Sequence, residues 1–343
     1  MAEAVAGESI EVFSSSDLIA ARNAARALAA AIGFDETARE EVALAVSELA
    51  SNLVKHARGG QLTLTPLAQG GRAGIQIETV DSGGGIADVD QALADGFSMA
   101  GSLGYGLGTV NRLMDELNIT SHQGPGSGTR IVGRRWLREQ TGSPTPCPLA
   151  FGVATRPHPH MAENGDAFVI KRWGEHALVG VIDGLGHGQF ARRAAETARQ
   201  YVESHYDQPM EVIFRGVERA CRATRGVVMA LTRFDWGRAR LLFASVGNVE
   251  ARAWGNSEPM NFILRRGIIG SNAPLPVVTE HRWDSRGVMV LHSDGVKTHW
   301  RWENFPDLAT ASATVVAQQL LRALAKDDDD ATVVVVKQGD HPR

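Results

Sequence analysis

The sequence predicts an α+β protein of two domains, and three observations predict it. The chain has 343 residues, more than a single hydrophobic core usually spans. Between Trp136 and Phe151 the text "WLREQTGSPTPCPLAF" carries three prolines and no apolar period, which marks a linker. On either side, helical and strand periodicities recur independently. The domains are therefore set at residues 1–138 and 148–343, with 139–147 between them.

The first domain opens with two amphipathic helices. "DLIAARNAARALAAAIG" ends in Gly33, and "DETAREEVALAVSELASNLVKHA" begins with Asp35 as its N-cap. "QLTLTPL" and "AGIQIETV" alternate as strands, "YGLGTVNRLMDEL" returns to helix, and "NITSH" and "TRIVGRRW" close as strands. In the second domain "AFVIKRW" and "HALVGVID" read as strands, followed by helices "QFARRAAETARQYVESH" and "MEVIFRGVERACRAT". Strands then follow at "GVVMALTRF", "ARLLFASVG", "VEARAW", "GVMVLHS" and "ATVVVVK", with a helix at "TVVAQQLLRALAK". This domain is strand-rich with a few helices.

Composition narrows the function classes. With 43% hydrophobic and 22% charged residues the chain is ordinarily globular, and its net charge of -4 supplies no basic field for nucleic acid. Two cysteines, Cys147 and Cys221, are too few for a disulfide framework and lack zinc-ligand spacing. No signal-peptide pattern and no apolar run of about eighteen residues is present. The expectation is a cytoplasmic protein without a membrane span.

Chemistry-bearing residues of the first domain lie in order. Glu48 and Asn52 fall one helical turn apart on one face; alone, they also fit a solvated hydrogen-bonded pair. Asp81 follows a strand in "VDSGGGIAD", with Gly83, Gly84 and Gly85 allowing close approach to the backbone. "GSLGYGLGTV" brings Gly104, Gly106 and Gly108 to a helix start, where free N–H groups can receive a phosphate. With "GSGTR" before the last strand, this order resembles the GHKL (Bergerat) ATPase fold, an α/β sandwich, over roughly residues 8–137. Within it, "GYGLGTVNRLMDELNI" is similar to the RsbT-like switch kinases of bacterial partner switching. The resemblance implies ATP and Mg²⁺ as cofactors, Asn52 as the Mg²⁺ ligand, Glu48 as general base or water positioner, and Asp81 as the reader of adenine. It also implies that Gly83, Gly85, Gly104, Gly106 and Gly108 line the nucleotide, with Thr129 near the adenine. A sensor histidine kinase needs a dimerising hairpin with a phosphoacceptor histidine, for which the sequence leaves no room before Ile10, and His56 reads as a helix-end residue. Gyrase and mismatch-repair relatives need a transducer domain of another pattern.

In the second domain, "VIDGLGHGQF" places Asp183 where Asp-Gly alone would mark a turn. Asp166 precedes a strand, Asp294 ends one, and Asp327 to Asp330 precede the last. Carboxylates at four strand ends fit two hard cations. The ordered set "GD…DGxGHG…SDG…DDAT" resembles the PPM, or type 2C, phosphatases over roughly residues 148–338, particularly the RsbX-like and SpoIIE-type regulatory branch. The resemblance implies a β-sandwich flanked by helices. It also implies two Mn²⁺ or Mg²⁺ ions held by Asp166, Asp183, the Gly184 carbonyl, Asp294 and Asp329, with Asp183 central to catalysis. Asp330 is assigned a supporting place, although register among four aspartates leaves the two interchangeable. Water activated by the cations would attack phosphorus directly. Arg156 is a candidate phosphate holder, and His158 and His160 in "RPHPH" read as a solvated loop.

Together the resemblances imply a bifunctional kinase and phosphatase acting on STAS-domain proteins of a stressosome. The alternatives are an anti-sigma factor that sequesters a sigma factor, and a scaffold with one inactive half; the complete set of motif residues weighs against the scaffold.

Overall fold

The computed structural model describes residues 7–69, 72–93, 106–124, 127–138 and 147–339. It divides into compact units at 1–139 and 140–343. In the first, chain order runs β1 (Glu8–Val12), α1 (Ser15–Ile32), α2 (Glu36–His56), β2 (Gly60–Gln69), β3 (Arg72–Val80), α3 (Val89–Leu93), α4 (Gly106–Leu113), β4 (Glu116–His122) and β5 (Gly128–Trp136). The five strands form one antiparallel sheet, ordered β1-β2-β3-β5-β4.

Local chemistry fixes the helix ends. The Asp17 carboxylate accepts from the Phe13 and Ser14 amides at the start of α1, and Gly33 closes it at a left-handed φ of 105°. Asp35 caps α2 by accepting from Ala38 N at 2.8 Å. Period-two alternation then gives the sheet one apolar face. Leu62, Leu64, Ile75, Ile77 and Ile131 pack with Val42, Val46, Leu49 and Leu53 of α2 in one core. The intervening positions carry charge, including Arg130 paired with Glu78 at 2.7 Å and Arg134 with Glu116 at 3.1 Å.

One expected helix is shorter than its pattern. The run from Tyr105 to Leu117 reads as helix in sequence, but α4 ends at Leu113. Buried Asp115 accepts from Trp136 N at 2.7 Å and donates its own amide to Arg134 O, so Glu116 and Leu117 are drawn into β4. Long-range pairing overrides helical propensity there. Strand β1, absent from the sequence reading, is an edge strand paired with β2.

The second unit contains β6 (Leu149–Arg156), β7 (Asp166–Trp173), β8 (His176–Gly184), α5 (Gln189–Ser204), α6 (Met210–Cys221), β9 (Val227–Asp235), β10 (Arg240–Val246), β11 (Glu250–Trp254), β12 (Thr279–Arg282), β13 (Val288–His292), α7 (Ala313–Leu324) and β14 (Ala331–Gln338). Two antiparallel sheets, β12-β10-β9-β8-β7 and β11-β13-β14-β6, face each other. Helices α5 and α6 cover the first sheet, and α7 covers the second. This helix–sheet–sheet–helix layering is the helix-flanked β-sandwich expected from the sequence.

Three apolar layers explain the continuous hydrophobic runs. On β8, Ala177, Val179 and Val181 face the opposing sheet while Leu178 and Ile182 face the helices. On β14, Val334 and Val336 point into the sandwich and Val333 and Val335 toward α7. A strand buried on both faces has no polar side to alternate. Strands β6 and β12 were not anticipated. β6 passes so close beneath α7 that a Cβ on Gly152 would lie 2.0 Å from the Ala313 carbonyl oxygen. Glycine is required at that crossing, and its presence weakens the strand signal.

Candidate active sites

The first candidate site lies on one helix and the loops above it. Glu48 and Asn52 project from neighbouring turns of α2. The first residue of α4 stands over both: a Cβ on Gly106 would be 3.8 Å from Asn52 Oδ1 and 3.9 Å from Glu48 Oε2. An amide oxygen and a carboxylate thus meet the amide-rich start of a helix, a donor set suited to a cation with phosphate. Gly108 is buried within α4, and Gly104 lies outside the described residues.

Asp81 emerges from the end of β3. Its Oδ1 accepts from Gly83 N at 2.8 Å and Thr129 N at 3.2 Å, and its own amide donates to Thr129 O. These bonds hold the carboxylate in one orientation and leave Oδ2 unused by them. Gly85, at φ 76°, abuts the His122 carbonyl so closely that a Cβ would stand 2.1 Å from its oxygen. Thr129 Oγ1 is 2.9 Å from Ser121 Oγ, which also accepts from Ile86 N. Ser121, unnoticed in the sequence, ties the glycine loop to β4 and β5. His56 is exposed in the last turn of α2.

The second candidate site is produced by sheet register. Asp166 and Asp183 are directly paired across β7 and β8. Asp183 has the same parity as Val179 and Val181, so it lies on the face toward the second sheet. That sheet brings up Ser293 and Asp294 from the end of β13 and Asp329 and Asp330 from the start of β14. Ser293 Oγ donates to Asp166 Oδ2 at 2.6 Å and accepts from Thr332 N at 3.0 Å, bridging the two sheets. Asn248 Nδ2 donates to Asp294 Oδ2 at 2.7 Å. Gly184 donates its amide to Gly165 O.

The carboxylates raise one another's proton affinity. Burial, the larger cause, and neighbouring Asp330 and Asp294 push Asp166 up to about 7 against the opposing pull of Ser293 and Thr332. Burial and then Asp166, Asp294, Asp329 and Asp330 carry Asp183 well above the ordinary carboxylate range. Asp329 is raised by burial and by Asp294, with Lys326 opposing. Buried Asp330 accepts from His158 N through Oδ1, while Oδ2 has no hydrogen-bond partner in the structure. Among the described residues no group of three or more His, Cys, Asp or Glu side chains is arranged to hold a metal ion. The fit to divalent cations rests instead on mutually repelling carboxylates and an orphaned buried oxygen, both of which added positive charge would relieve.

Two neighbouring segments have partners in the structure. The "RPHPH" segment, expected as a solvated loop, contributes its His158 amide to Asp330, and the His158 ring stacks on His187 with centroids 5.0 Å apart. Arg156 gives Nη2 to the Lys326 carbonyl. Ser293, Thr332 and Asn248 were missed as supporting residues. Ser293 and Thr332 adjoin Asp294 and the aspartate run, so adjacency was the available signal; Asn248 offered none.

A family model described as "Histidine kinase-like ATPase domain" matches residues 14–132. The serine/threonine-protein kinase RsbT of Bacillus subtilis (strain 168) is 38% identical over 129 residues, which are 38% of this chain and 96% of that protein. The chain belongs to the RsbT-like kinase family. Its N-terminal domain carries that membership. A solved structure described as "The bacterial stressosome: a modular system that has been adapted to control secondary messenger signaling" is 28% identical at a TM-score of 0.53, covering 55% of this chain and 99% of its own. RsbX in complex with magnesium is 16% identical at a TM-score of 0.49, covering 65% of this chain and all of its own. No described helix is long and apolar enough to cross a membrane.

Proposed function

We propose that the chain is a bifunctional enzyme of a bacterial partner-switching pathway. Its first domain phosphorylates serine or threonine of a STAS-domain protein, and its second removes that phosphate. The observation that carries the reading is the convergence of Asp166, Asp183, Asp294 and Asp329 at one end of a PPM-like sandwich, in a chain whose other domain is an RsbT-like kinase. The stressosome description of a similar solved chain supports this class of partner, and such a pathway operates in the cytoplasm.

In the kinase domain, Asp81 would hold the adenine amine, while Asn52 and the start of α4 would hold the phosphates and Mg²⁺. Glu48 would take the proton of the attacking hydroxyl. ATP supplies the phosphoryl group. In the second domain, Asp166, Asp183, the Gly184 carbonyl, Asp294 and Asp329 would hold Mn²⁺ or Mg²⁺, and Ser293 and Asp330 would keep those ligands oriented. When bound, the cations supply positive charge for the phosphate and acidify water.

Incubating the full chain with ATP, Mn²⁺ and candidate STAS proteins, followed by intact mass measurement, tests the reading. Phosphate should appear on the STAS protein and be released when ATP is exhausted. A partner that carries no phosphate in either phase rejects it, and capture of a sigma factor by the unmodified chain would favour the anti-sigma alternative.

A further inference from the structure

Beside the carboxylate cluster stands a cation with no role in the scheme above. Arg225 is exposed in the short connection between α6 and β9. Its Nη1 lies 2.9 Å from the position that a Cβ on Gly186 would occupy. The guanidinium therefore covers the turn three residues past Asp183. Its carbon stands 4.9 Å from the centroid of the Phe190 ring, itself 53% exposed. The backbone beneath is tied across the turn by Leu185 N donating to Gly226 O at 3.1 Å. A planar fork of donors thus lies between the turn that follows Asp183 and an aromatic ring.

Electrostatics gives that placement a purpose. A phosphomonoester brings about two negative charges to a rim below which five aspartates, Asp166, Asp183, Asp294, Asp329 and Asp330, act on one another. Cations within the cluster would be engaged by the carboxylates, so outer phosphoryl oxygens need donors from elsewhere. Arg156 gives Nη2 to the Lys326 carbonyl. Arg225 lies over the Gly186 turn, three residues past Asp183, and a guanidinium matches two phosphate oxygens at once.

We propose that Arg225 is a substrate-binding residue of the second domain, gripping the phosphoryl oxygens of a phosphoserine or phosphothreonine side chain. The proposal rests on the phosphatase reading of the carboxylate site. It implies that phosphate monoanions and dianions bind even without the attached protein, because the grip is on the phosphoryl group.

The test uses the full chain in saturating Mg²⁺ and two readouts. Inorganic phosphate binding is measured by calorimetry, and hydrolysis of a phosphoserine peptide gives KM and kcat. Arg225→Ala should weaken phosphate binding and raise KM by about tenfold each, with kcat altered less than about threefold. Arg225→Lys should recover part of the loss, since it restores charge without the fork. Unchanged melting temperatures establish that the exposed position carries no folding role. Wild-type phosphate affinity in Arg225→Ala, or a wild type that binds no phosphate, overturns the proposal. If the wild type hydrolyses no phosphopeptide but Arg225→Ala still loses phosphate affinity, Arg225 stands as an anion site and the phosphatase reading falls.

Discussion

The two domains place their reactive groups by different routes. In the first, Glu48 and Asn52 are neighbours on one helix, and Asp81 is held both by Gly83 two residues on and by Thr129 of the paired strand β5. In the second, Asp166 and Asp183 meet across a strand pair, and Asp294 and Asp329 arrive from another sheet. A site made from local spacing survives changes elsewhere in its sheet, whereas a site made from register depends on every strand that sets it. The first should therefore fail one residue at a time, and the second as a coupled unit.

The largest expected effect is in the local site. Glu48→Ala should slow phosphoryl transfer by roughly 10²- to 10⁴-fold, with ATP affinity nearly retained in calorimetry; Asn52→Ala should reverse that pattern, weakening Mg²⁺-ATP binding. If both variants lose ATP binding equally, the two residues do not divide the roles. Next comes Asp183→Asn, which keeps shape but removes charge. Phosphate release should drop by more than about a hundredfold, while transfer from ATP continues, so that the partner accumulates phosphate. Release at the wild-type rate in saturating Mn²⁺ would return "DGLGHG" to a turn.

Coupling within the register-built site is tested by Ser293→Ala. The hydroxyl touches Asp166 and the Thr332 amide together, so Mn²⁺ affinity should fall about ten- to a hundredfold although no ligand is removed. Unaltered Mn²⁺ affinity would break the contrast between the domains. A smaller effect appears in stability against pH. In the cation-free protein Asp166 holds its proton up to about 7, whereas an unfolded aspartate releases it near pH ~4. The folded state then binds more protons between those values, so stability falls as pH rises from about 4 to about 7 and levels off beyond. The melting temperature of the second domain should follow this slope in chelator and flatten in saturating Mg²⁺. A slope of opposite sign would show that the carboxylates are already neutralised.

The smallest expected effect comes from separation. Fragments 1–138 and 148–343 should each melt cooperatively near their temperatures in the full chain, since each unit has its own buried clusters. A fragment without a transition would mean that the two depend on a shared core.

By itself, the sequence determined what local rules control. Helical spacing put Glu48 and Asn52 on one face, Asp35 and Gly33 marked helix ends, and the ordered motifs identified both domain types. It could not place the end of α4, because Asp115 is captured by the Trp136 amide twenty-one residues away. Nor could it show β6, where Gly152 interrupts the apolar pattern to let α7 cross. Tertiary structure alone decided which carboxylates of "KDDDD" go where: Asp330 is buried against the His158 amide, and Asp329 is left beside Asp294. It alone joined Ser293 to Asp166, and Arg225 to the turn after Asp183. Periodicity reports which face of a strand a residue takes, but the partner it meets there depends on register between segments distant in the chain.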